Sequence, residues 1–131
     1  KTWERYGIHA MEAVYPILGP GFISVRNTGT GSDNLVTVKH KTGVTVQIPQ
    51  ITDLYGAFGD LFIAGTVSSV HVRSNDTYYS FKKQLEAFAQ YLRTGIRPFP
   101  YEQTEELMKI IIAGIESKQQ GGIEISLDQL I

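Results

Sequence analysis

The sequence contains no cysteine. That excludes disulfides, thiolate metal sites and a cysteine nucleophile, and it leaves the compartment open. Charge of one sign is also missing: 12 basic and 13 acidic side chains give a net charge of −1, with no basic run. A strong electrostatic hold on nucleic acid or an anionic membrane is therefore not expected. No apolar run reaches the roughly 18 residues of a membrane span. The chain begins at Lys1, not Met, and reads as a piece of a longer protein.

What remains is ordinary globular material. The 131 residues are 42% hydrophobic and 19% charged. That is the size of one domain, 1–131, able to bury about two-thirds of its unfolded surface. Ile8, Met11, Val14 or Tyr15, and Leu18 recur at helical spacing and predict a helix over 6–18. Pro16 should kink it or end it early. Strands follow. Ile23 and Val25 alternate with polar residues, as do Val36 and Val38, and then Val44, Val46 and Ile48. Lys41-Thr42-Gly43 has the composition of a hairpin loop. Leu61 to Thr66 and Ser69 to Arg73 form a further strand pair about Val67-Ser68.

Two helices come next. Ser80 is the expected N-cap of the first, Phe81, Leu85, Phe88 and Leu92 its apolar stripe, and Gly95 its C-terminal cap. The second opens on Glu102, Glu105 and Glu106 and closes on Lys118, a charge order that suits the helix dipole. Ile123, Ile125 and Leu127 alternate as a closing strand. The order predicts an α+β fold: a mostly antiparallel, open-faced sheet with helices packed on one face. An uncovered apolar sheet face usually marks an interface, so self-association is expected.

Few residues carry chemistry. Gly29 and Gly31 resemble a phosphate loop, but Asn34 stands at the third glycine position and the segment leads into a strand; a turn is expected. His40 and His71 lie in strands and read as structural. No histidine pair has zinc spacing. Asn75-Asp76-Thr77 fits the glycosylation pattern and reads as a turn. The Tyr78, Tyr79 and Phe81 cluster reads as core and helix start, not base stacking. His9 differs. It sits on the short first helix, and its imidazole can accept and return a proton near neutral pH. Glu12, three residues on, lies near the same face; it is placed to hold the ring, and solvation is the expected reading. A hydrolase built on His9 is disfavoured, because no nucleophile or paired carboxylate accompanies it.

Three segments resemble the C-terminal half of the Gfo/Idh/MocA oxidoreductase family. They are Arg5-Tyr6-Gly7-Ile8-His9 through Leu18-Gly19, then Ile63-Ala64-Gly65-Thr66, then Phe88–Gly95 with Glu102–Lys118 and Gly121–Leu127. The Tyr6-Gly7-Ile8-His9 start points to the branch described as oxidoreductase C-terminal domains. The resemblance implies a separate N-terminal Rossmann domain that binds NAD or NADP, with no cofactor bound by this chain. It implies a sugar, inositol or related polyol as substrate, and a homo-oligomer. It makes His9 the catalytic histidine, with Arg5 and Tyr6 as substrate-binding candidates. Many relatives carry an aspartate where Arg5 stands, so the usual Asp–His pairing is not expected. The alternative is a non-catalytic carbohydrate-binding or oligomerisation module on the same scaffold.

Overall fold

The computed structural model describes residues 2–53, 60–73 and 75–130. The elements run α1 (Trp3–Leu18), β1 (Phe22–Asn27), β2 (Asn34–His40), β3 (Thr45–Gln50), β4 (Asp60–Ala64), β5 (Ser69–Arg73), α2 (Thr77–Thr94), α3 (Tyr101–Gln119) and β6 (Ile125–Ser126), then a 3-10 turn at Leu127–Gln129. The fold is α+β. One antiparallel sheet has the order β3-β2-β1-β6, and β4 and β5 form a separate antiparallel hairpin.

One face of the larger sheet is the core. Val25, Val36, Val38, Ile48 and Ile125 point from it into Met11, Val14, Ile110, Ile111 and Ala113 of α1 and α3. A β-bulge at Ile23 sets this arrangement. Phe22 pairs with His40 and Val25 with Val38, so β1 spends one extra residue. Val25 is therefore buried and Ile23 is 48% exposed, although plain alternation put both on one face.

The helices α1 and α3 are locked by Trp3. Its indole is 1% exposed and its Nε1–H donates to the Ile111 carbonyl at 2.9 Å. Two glycines admit the ring. A Cβ at Gly7 would lie 2.6 Å from the indole, and one at Gly114 would meet its Nε1 edge. The helix starts earlier than the sequence suggests, because Trp3 supplies an anchor there. It also runs through Pro16, which sits in the last turn and forfeits a single backbone hydrogen bond.

The opposite face of the sheet is mostly polar. Thr37 donates to Gln47 at 2.9 Å, Lys39 pairs with Glu124 at 2.9 Å, and Arg26 donates to the Gly122 carbonyl at 2.7 Å. Ile23, Leu35 and Pro49 are apolar members of this face. Among the described residues, the broad apolar sheet face expected from the sequence is not present.

The apolar surface lies elsewhere. No residue of α2 is buried, and Phe81, Leu85, Phe88 and Leu92 are 54–68% exposed. The expected stripe is real and faces solvent. Asp76, not Ser80, caps this helix: its side chain accepts from the Tyr79 N–H at 2.8 Å. Gly95 ends it in the left-handed conformation at φ 72°, as its position implied. The closing strand is two residues long, and Ile123 lies outside it, half exposed.

Candidate functional site

α1 is amphipathic. Trp3, Gly7, Met11, Val14 and Tyr15 take the buried side. Arg5, Tyr6, His9 and Glu12 take the exposed side. His9 Nδ1 lies 3.1 Å from Glu12 Oε2, with side chains 46% and 54% exposed. The Tyr6 and His9 rings sit 6.2 Å apart between centroids, tilted by 51°. Arg5 stands one helical turn before His9 on the same face. An exposed side-chain contact of this kind adds little stability, about 0–1 kcal/mol. Its effect is orientation: a carboxylate on Nδ1 favours the Nδ1–H tautomer and puts the basic lone pair on Nε2. The sequence pointed to solvation for Glu12, but the i,i+3 spacing brings it onto the ring.

The other histidines make contacts away from α1. His40 is 2% exposed and meets the Phe22 ring edge-on at 4.9 Å. Its Nδ1 accepts from the Thr42 N–H at 3.3 Å, and its Nε2 faces the Pro20 carbonyl at 3.2 Å. His71 is exposed on β5 and pairs with Asp60.

A cleft between the start of α3 and the C-terminal turn gathers Glu102, Glu105, Glu106 and Asp128 around Tyr15 and Phe22. Glu106 is already engaged there. It accepts from the Tyr15 hydroxyl at 2.6 Å and from the Gly21 and Phe22 N–H groups at 2.7 and 2.9 Å. Burial, then the hydrogen bond to Glu106, pushes the Tyr15 phenol well above its ordinary value. Tyr15 is thus held protonated, and the pair ties α1, β1 and α3 together. Sequence reading gave Glu106 only a part in the helix dipole. Among the described residues, no group of three or more His, Asp or Glu side chains could hold a metal ion.

The loop through Gly29 and Gly31 turns into β2, braced by Asn27, whose Nδ2 donates to Asn34 Oδ1 at 2.9 Å. The three helix N-termini carry Glu4, Asp76 and Glu102. Backbone and Thr2 hydrogen bonds hold the Glu4 carboxyl below its ordinary value. Carboxylates in these places repel the phosphate that a helix N-terminus would otherwise attract. Compared with family models, curated proteins and solved structures, the chain finds no match.

Proposed function

We propose that the chain is the substrate-side, C-terminal domain of a NAD- or NADP-dependent oxidoreductase acting on a sugar, inositol or related polyol. The observation that carries this reading is the Tyr6–His9–Glu12 constellation on the exposed side of α1. Many relatives in the Gfo/Idh/MocA family pair this histidine with an aspartate four residues earlier. Here Glu12 offers the carboxylate from one turn later, and Arg5 is left as a cation for a polar or acidic substrate group. His9 Nε2 then takes the proton from the substrate hydroxyl as it is oxidised. The nicotinamide is held by a separate Rossmann domain, and this chain supplies the substrate wall.

The test uses the parent protein with a panel of hexoses and inositols and either nicotinamide cofactor. His9→Asn should lower turnover by about 100- to 10,000-fold with folding intact. Glu12→Gln should cost less, shift the pH profile and leave substrate affinity nearly unchanged. A loss below about threefold for His9→Asn returns it to a structural role, given the usual size of acid–base effects. A second reading, the non-catalytic carbohydrate-binding or oligomerisation module, is favoured by the apolar arm that α2 presents. It predicts sugar binding or self-association with no turnover under any cofactor.

A further inference from the structure

The exposed surface of the chain is 9134 Å². A compact monomer of its mass, 14.6 kDa, exposes about 6,900 Å². The excess of roughly 2,200 Å² is more than the approximately 800 Å² per partner of a standard interface, and lies in the range of obligate dimers. Much of the exposed apolar surface is on the β4–β5 hairpin and on α2, two elements grouped as the arm for their exposure alone. A two-stranded hairpin is marginal by itself, and an isolated helix of this length is marginal too. The arm needs a cover.

The sequence of α2 says what kind. Tyr78, Phe81, Leu85, Phe88 and Leu92 are spaced 3, 4, 3 and 4 residues apart. That is a coiled-coil seam, and all five are more than half exposed. The geometry points to a second copy of this chain as the occupant, with α2 packed antiparallel on α2 about a two-fold axis. In that register Phe81 faces Leu92 of the other copy, Leu85 faces Phe88, and Tyr78 faces Gly95. Every layer sets a large side chain against a smaller one, which interdigitates better than the parallel register, where Phe81 and Phe88 would each meet themselves. No like charges meet along the flanks, where Lys82 falls opposite Ala89 and Gln84 opposite Tyr91. Antiparallel helix dipoles add to the preference. Such a contact is isologous and closes at two chains. It stands on the arm alone and does not depend on the oxidoreductase reading.

The absence of cysteine makes the test clean. The 131-residue chain should sediment as a dimer at micromolar concentration. Oxidising an equimolar mixture of the Leu85→Cys and Phe88→Cys chains should give the mixed disulfide in preference to either self-linked product. Leu85→Glu should weaken the dimer by at least about a hundredfold, as expected for a central apolar anchor. The single tryptophan, buried in the core at Trp3, should keep its emission in that variant and so report intact folding. A parent chain that stays monomeric throughout, including one that binds only another domain, overturns the proposal. So does a dimer indifferent to Leu85→Glu, or one linked mainly through like cysteines.

Discussion

Two regions of this molecule treat their apolar residues in opposite ways. In the body, made of α1, α3 and the four-stranded sheet, Met11, Val25, Val36, Val38 and Ile110 reach 0% exposure. In the arm, Phe62, Phe81, Leu85 and Leu92 are 65–72% exposed. Composition does not distinguish the two, since both carry regular apolar patterns. The difference is whether a complementary surface lies within the same chain. The body closes on itself through Trp3 and Glu106. The arm has a stripe and no partner of comparable size among the described residues.

Substitutions should separate the regions. The largest effect is expected at Trp3→Ala, about 3–5 kcal/mol of unfolding free energy, because a large buried ring and its hydrogen bond are both lost. Leu85→Ala, a deletion of similar type in the arm, should cost less than about 1 kcal/mol in a dilute sample, since surface changes rarely exceed that. Denaturant melts followed by far-ultraviolet circular dichroism compare the two, and equal costs would erase the distinction. Glu106→Ala should come next, at about 2–3 kcal/mol, by leaving the Gly21 and Phe22 N–H groups without their acceptor. Gly114→Ala should cost about 1–3 kcal/mol by overpacking the Trp3 indole. Asp76→Ala removes the cap of α2 and should cost about 1 kcal/mol of that helix alone, visible as fraying of α2 with the body unchanged.

A pH effect sharpens the body side of the comparison. Tyr15 keeps its proton in the folded state beyond the ordinary tyrosine value of 10.0. Its contribution is present below that value and is lost as the unfolded chain ionises on the alkaline side. The stability advantage of the parent over Tyr15→Phe should shrink between about pH 9 and 11, by up to about 1 kcal/mol. An advantage that stays constant over that range would mean the Tyr15–Glu106 pair is not formed.

The readable parts of the sequence were those set by local pattern. The α+β class, the antiparallel strands, the hairpin at Lys41-Thr42-Gly43, the Gly95 cap and the apolar stripe of α2 all follow from spacing and turn chemistry. Long-range features were not legible. The bulge that turns Ile23 outward depends on how β1 meets β2. Glu106 binds groups 84–91 residues away, and its neighbours in sequence carry no sign of them. The stripe of α2 has the same spacing whether a core or another chain covers it, so its exposure became visible only with the fold. The expectation of an apolar sheet face failed for a related reason. Alternation identifies a polar side of a strand, and in β2 and β3 that side was the open one.

The most direct test of the division between body and arm is amide hydrogen exchange read along the chain at two protein concentrations. The account predicts that α3 and β1 exchange slowly at both, with the rate of global opening. It predicts that α2 is protected at high concentration and exchanges quickly after dilution, because its cover is a second chain. Protection of α2 equal to that of α3 at every dilution would contradict it.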